Sequence, residues 1–385
     1  MNKDTKISLA LTRVQFNWTE RILELGILLI SATTSVAILI IFVFVGRESM
    51  PVIFGKSQLD ASQLIRSVED LDKMSAKEIM TYLGLSKEEY NSLDKQSLRE
   101  LMLLKIETAR DASKDKDAFI NAASLKYLFF PHQWTGYDKP VFIWQPVSEI
   151  RKFNIIPLIV GSLKISLIAI LVSVPFAIAS AILVSVLVHP KIKEVLKPLI
   201  ELLAGIPSVV IGVFGLIVIA NIVQSVTGCV FRLNSLTAGI ALSFAVIPVI
   251  FSICEDALSS VPKSYIEAAY ALGASRWKMA FQVVMPAAFP GVFAALMIGF
   301  GRAFGETMIV LMASGNASIL SASILDPART ITATIAAELA ETVFGDPHYS
   351  VLFFIGLLLF IFTFILNIAA NLVMGHLRTR IEGKK

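Results

Sequence analysis

The chain has 385 residues, 55% of them hydrophobic and 17% charged, with a mean hydropathy of +0.72. That is more apolar and less charged than a water-soluble domain, so lipid is the solvent for most of it. A net charge of +4 scattered along the chain makes no nucleic-acid surface, and Cys229, Cys254 and four dispersed histidines form neither a disulfide framework nor a metal site.

Residues 1–21 read as a charged tail. The apolar run 22–45 is longer than a signal-peptide core and is followed by Gly46-Arg47-Glu48 rather than a small-residue cleavage site, so it is read as an uncleaved transmembrane helix. Five more stretches reach the roughly twenty apolar residues that a helix needs to cross a bilayer. They run approximately 156–187, 198–223, 236–254, 287–313 and 349–374, and the first of these is long enough to tilt or to kink at Pro175. The fold class is therefore all-α, a polytopic membrane protein with six spans.

Lysines and arginines beside the spans set the orientation. Lys3, Lys6, Arg13 and Arg21 precede span one; Lys191, Lys193 and Lys197 join spans two and three; Lys263, Arg276 and Lys278 join four and five; Arg378, Arg380, Lys384 and Lys385 follow span six. The opposite side holds Arg232 and Arg329 among Asp326, Glu338, Glu341 and Asp346, so both termini are expected in the cytoplasm. Residues 46–154, with 16 basic and 16 acidic side chains, are then external. Helical spacing at Leu64, Val68 and Leu71, at Ile79, Tyr82 and Leu83, and at Leu98, Leu101, Met102 and Ile106, with capping boxes at Ser75/Glu78 and Ser86/Glu89, predicts a small helical insertion. It serves either as a contact for a partner or as packing on the outer mouth. Residues 155–376 form the membrane core and 377–385 a cytoplasmic tail.

Between spans four and five, in the cytoplasmic loop 255–286, Ala268, Ala269, Ala271 and Leu272 favour a short helix. Gly273 can end it in the left-handed conformation, and Ser275 can cap a second helix with Trp277, Ala280, Phe281 and Val284 on one face before Pro286 ends the element. Glu267-Ala268-Ala269, with Gly273 six residues after the Glu and Pro286 beyond it, resembles the EAA loop of ABC import permeases. The resemblance implies a type I importer permease fold. It also implies that Glu267, Ala268, Ala269 and Gly273 couple the chain to a separate cytoplasmic ATPase. An ordinary interfacial helix is the alternative. No G-x-x-x-x-G-K-[ST] phosphate loop is present, since Gly55-Lys56-Ser57 has Met50 where the first glycine belongs, so the chain is not expected to be an enzyme and ATP and Mg would be held by that partner.

Span five contains Gly301-Arg302-Ala303-Phe304-Gly305-Glu306-Thr307. Ionisable residues at bilayer depth mark pathways. Arg302 and Glu306, four apart, are expected on one helical face, with Gly301 and Gly305 forming a close-packing ridge about 100° away. The pair either lines a substrate path, where the guanidinium fork suits an oxyanion, or only neutralises itself and fixes packing. Pro207 is expected to kink or to break span three, and Lys164 to snorkel outward or to draw anions in.

The run Gly301–Asn316 resembles the fifth-span signature of phosphate ABC permeases of the PstC type, with Met308, Met312 and Gly315-Asn316 favouring it over the PstA type. Residues 157–163, and 204–210 with Gly212, Phe214 and Gly215, resemble the same family, the likeness covering about 144–316 and leaving out the insertion. It implies Arg302, Glu306 and Thr307 as pathway residues and an inner-membrane location. The implied partners are a PstA-like second permease, a PstB-like ATPase dimer and a periplasmic PstS-like binding protein delivering phosphate. Sulfate or molybdate permeases are the nearest alternative; a secondary carrier or a sensor scaffold is the alternative from another class.

Overall fold

The computed structural model describes residues 18–54, 76–83, 85–112, 117, 120–148 and 150–381. Lys3, Lys6, Arg13, the Leu64/Val68/Leu71 pattern, Ser75, Gly55-Lys56-Ser57, Lys384 and Lys385 lie outside the described residues. The chain divides into two units, 1–48 and 49–385.

Helix α1 (Trp18–Phe54) carries the first apolar run and continues nine residues past the expected end, through Arg47 and Glu48, because losing apolar residues ends a span but not a helix. In the insertion, α2 (Ala76–Leu83), α3 (Lys87–Ser92) and α4 (Lys95–Ala112) form where apolar spacing predicts helices. Ser86 and Glu89 close the expected capping box on α3.

After α5 (Leu125–Phe129), strands β1 (Trp144–Gln145) and β2 (Lys152–Phe153) pair antiparallel. This stretch is not an independent lobe. Leu128, Trp134, Trp144, Phe153 and Ile155 share one core with Leu158 at the start of span two, Ile331, and Val351, Leu352 and Ile355 of span six. Asp117 fixes its edge, accepting from the amide (2.5 Å) and hydroxyl (2.9 Å) of Thr135 and lying 3.2 Å from His132 Nε2. Burial pushes this carboxyl up, but the Thr135 and His132 hydrogen bonds outweigh it and hold the group below the ordinary carboxylate range.

The membrane core follows: α6 (Ile156–Ile182), with Pro175 inside it, then a π-helical turn to Leu187; α7 (Pro190–Leu202); α8 (Ser208–Phe214), a π-helical turn and α9 (Ala220–Thr227); α10 (Ser235–Ser259); α11 (Lys263–Ala271); α12 (Arg276–Met279); α13 (Met285–Gly305); α14 (Met308–Ala313); α15 (Ile331–Glu338); and α16 (Pro347–Ile381). Among the described residues six helices are long and apolar enough to cross a membrane, at 22–54, 156–187, 208–227, 235–259, 276–305 and 347–375. Span three thus starts at Ser208 and not at Pro198, which lies in the preceding helix α7. Apolar residues run through both helices, so hydropathy merged them across the break.

α10 is the centre: 61% of its most apolar window is buried, against at most 33% for the other spans. Ala238, Ala241, Ala245, Val246 and Ile250 pack there with Ala169, Ala177 and Ala181 of α6 and with Val292 and Ala295 of α13, small residues that let helices approach closely where lipid removes the hydrophobic drive. Gly161 is the tightest point. A Cβ there would stand 2.2 Å from the Arg329 carbonyl oxygen, a backbone atom that cannot rotate away. Gly161→Ala is expected to cost about 2 kcal/mol by overpacking, read as a lower thermal midpoint of the purified protein in detergent.

Candidate functional site

Apart from Pro207 and Lys164, the residues singled out from the sequence lie at two places, a break in span five and the turn that leads into that span. In α13, Gly299 lies against α10, where a Cβ would be 2.5 Å from Ile250 Cγ1. The helix stops at Gly305. Glu306 is extended (φ −70°, ψ 137°), Thr307 follows at φ −112°, ψ −59°, and α14 is a separate helix.

Glu306 is therefore the residue that ends the helix, one turn after Arg302. Among the described residues no hydrogen bond or ion pair joins the two. The self-neutralising pair is replaced by a different arrangement: the Glu306 carboxylate accepts from the Thr307 amide at 3.1 Å, and the Glu306 carbonyl, released by the break, accepts from the Thr332 hydroxyl at 2.8 Å. Ala303 and Phe304 are buried, the Phe304 ring 4.4 Å from that of Phe362. Arg302 is exposed, and a Cβ on Gly301 or Gly305 would meet nothing within 4 Å, so among the described residues nothing packs on the expected ridge. A guanidinium at span depth needs water or protein beside it, not hydrocarbon.

Span three supports the far side of the break. Gly212 lies under α14, its Cβ position 2.8 Å from Met312 Sδ and 3.3 Å from the Met308 carbonyl oxygen, and Gly215 lies under Ala241 and Ala313. Pro207 does break the chain and does not merely kink it: Ile206 and Pro207 are extended (ψ 125° and 136°) between the 3-10 turn Leu203–Gly205 and α8. Gly315 (φ +77°) and Asn316 (φ +47°) turn the chain after α14, where a Cβ on Gly315 would be 2.7 Å from the Leu233 carbonyl oxygen. Lys164 does not stand free. Its Nζ donates to the carbonyls of Ser321 (3.1 Å) and Ser323 (2.9 Å) in the connection that follows.

At the turn before span five, α11 ends at Gly273 (φ +77°), and the Ser275 hydroxyl accepts from the Lys278 amide to start α12, as the residues predict. Ala269 is buried, whereas Glu267, Ala268, Gly273 and Leu272 (89% exposed) project outward. The expected single face of the second helix is split. Trp277 and Phe281 stack on the exposed side with ring centroids 5.9 Å apart, while Ala280 and Val284 are buried. A π-helical turn, Ala280–Val284, changes the angular phase and also takes up Pro286, which opens α13 instead of ending an element. The second arm of the hairpin and span five form one continuous helical piece, Arg276–Gly305.

Two charge clusters escaped the sequence reading. Glu338, expected as a solvated loop charge, is buried and accepts from the Trp144 indole (3.1 Å) and from Arg329 (2.7 Å), with His348 Nε2 at 2.8 Å. A neighbouring Arg151–Asp346 pair adds to this tie between the segment before span two and the start of span six. Glu255, placed just past the expected end of span four, is buried within α10 and meets Lys193 and Lys197 of α7. Sequence spacing carries little signal for either, because Lys197 is 58 residues from Glu255 and Trp144 is 194 residues from Glu338.

Residues 173–383 match the family model for the binding-protein-dependent transport system inner membrane component. The chain is similar to the probable ABC transporter permease protein YqgH of Bacillus subtilis, 40% identical over 58% of this chain and 72% of that protein. It is similar also to the phosphate transport system permease proteins PstC of Mesorhizobium japonicum (37% identical; 62% of this chain, 77% of that one) and Xylella fastidiosa (33%; 62% and 78%).

Proposed function

Since the chain belongs to the family of binding-protein-dependent transport system inner membrane components, we propose that it is a permease subunit of an ATP-driven importer of inorganic phosphate. The observation that carries the substrate is the run of PstC relatives, 33–37% identical over about three quarters of their length. The unpaired Arg302 of span five supports it from the chemistry. A guanidinium keeps its charge when desolvated and offers parallel donors to an oxyanion, and no carboxylate among the described residues occupies them.

In this reading the uncovered face of Gly301, Arg302 and Gly305 meets a second, PstA-like permease, and the pathway runs between the two with Glu306 and Thr307 at its edge. Both termini are cytoplasmic and the protein lies in the inner membrane. The exposed knob of Glu267, Ala268, Leu272 and Trp277 docks on a PstB-like ATPase dimer, which holds ATP and Mg, and a periplasmic PstS-like protein delivers phosphate to the other side. This chain breaks no bond itself. It offers alternate access to an ion that leaves unchanged.

The test is uptake of labelled phosphate by proteoliposomes containing the assembled complex, with binding protein outside and ATP inside. Uptake that requires ATP hydrolysis is expected. Uptake that persists with a hydrolysis-dead ATPase, or transport of sulfate or molybdate with none of phosphate, would overturn it.

A further inference from the structure

α7, between spans two and three, is weakly anchored for a helix of 13 residues: none of them is buried. Ile192, Val195, Leu199 and Leu202, one helical stripe, face away from the chain, while Leu196 and Ile200 touch the core. What fastens it is ionic. Glu255, 1% exposed, receives Lys193 Nζ at Oε1 and Lys197 Nζ at Oε2, both at 2.5 Å, and the Ser259 hydroxyl at 2.6 Å. Lys193 also donates to Ser259 (2.9 Å) and Lys197 to Asp256 (3.0 Å). The hydrogen bonds it donates to Glu255 and Asp256 hold the Lys197 ammonium above its ordinary range, so it stays charged.

The position of this cluster gives it a consequence. Glu255 lies one turn before the end of α10 at Ser259, and α11 of the hairpin begins at Lys263. On its other side, α7 leads through the 3-10 turn to the break at Pro207 and into α8, which packs through Gly212 on Met308 and Met312 just after Thr307. Two helices that only had to stay packed would be held as well by apolar contact, whereas a buried carboxylate between two lysines fixes direction and is costly to part.

We propose that Glu255 is a positioning residue for transport: by gripping Lys193 and Lys197 it makes α7, and with it the broken entry to span three, follow the hairpin when the ATPase displaces it. This rests on the importer reading. The clamp carries the motion to the pathway break by a second route, beside the direct continuation of the hairpin into span five.

The experiment uses the full complex in proteoliposomes and measures phosphate uptake and ATP hydrolysis together. Glu255→Gln keeps shape and loses charge. It is expected to leave hydrolysis stimulated by loaded binding protein while phosphate moved per ATP falls about tenfold, the scale of a typical coupling between sites. Lys191→Gln, which removes an exposed charge from the same helix, is expected to leave that ratio unchanged. An unchanged ratio in Glu255→Gln overturns the clamp alone. Should Glu255→Gln not assemble, the Lys193→Gln Lys197→Gln double variant reads the same ratio from side chains about 30% exposed, and an unchanged ratio there is equally fatal. A wild-type complex that takes up no phosphate overturns the importer reading and the clamp with it.

Discussion

Phosphate uptake is expected to fall by about a hundredfold or more in Arg302→Gln, with the complex still assembled. The magnitude follows from two hydrogen bonds to a charged group at about 1.5 kcal/mol or more each, and from the tenfold loss that each 1.4 kcal/mol represents. The structure separates this from a folding effect. Arg302 is exposed within the chain, with no hydrogen bond or ion pair to it among the described residues, so removing its charge orphans no buried partner. Had it been paired with Glu306, the substitution would have left a carboxylate unmatched at bilayer depth, and lost uptake and lost stability would be confounded. Glu306→Gln tests the other half: its carboxylate bonds the next amide, so a smaller effect confined to the local turn is expected. Uptake unchanged in Arg302→Gln would remove the pathway role, and complex recovery by size exclusion would show whether a loss is one of assembly.

The six spans were legible because hydrocarbon imposes one rule on every crossing segment, and the hairpin because Gly273 and Ser275 act on their own neighbours. What was not legible is instructive in the same terms. The break after Gly305 lies in a run where every residue but Arg302 and Glu306 suits a buried helix, and it is sustained by Thr332, 26 residues on, which receives the freed carbonyl. The late start of span three was hidden because α7 is apolar on one side and Pro207 alone does not tell a kink from a break. The π-helical turn at Ala280–Val284 has no composition of its own, yet it decides that Trp277 and Phe281 face outward while Ala280 and Val284 are buried. Long-range polar contacts such as Glu338 to Trp144 and Glu255 to Lys197 exist only once the fold has formed. Local chemistry was read locally; tertiary chemistry was not.

Glu267→Lys is the second change with a large expected effect, because it reverses a charge on the outermost face of the hairpin. Lys and Glu have nearly equal helix propensity, and Glu267 is exposed with no ion pair among the described residues, so α11 should form as before. Gly273→Ala differs in kind: its Cβ would meet nothing within 4 Å, yet a φ of +77° costs an L residue roughly 1–2 kcal/mol, so that variant loosens the knob itself. At a docked interface, a lysine in place of a carboxylate meets groups arranged for the opposite sign, and such like-charge contact costs several kcal/mol. Phosphate uptake is therefore expected to fall about a hundredfold, with hydrolysis by the ATPase no longer stimulated by loaded binding protein. Glu267→Ala, which removes the attraction without adding repulsion, should lose less. If Glu267→Lys transports and hydrolyses like the wild type, the ATPase does not dock on this knob, and the continuous helical piece from Arg276 to Gly305 must receive its motion from elsewhere.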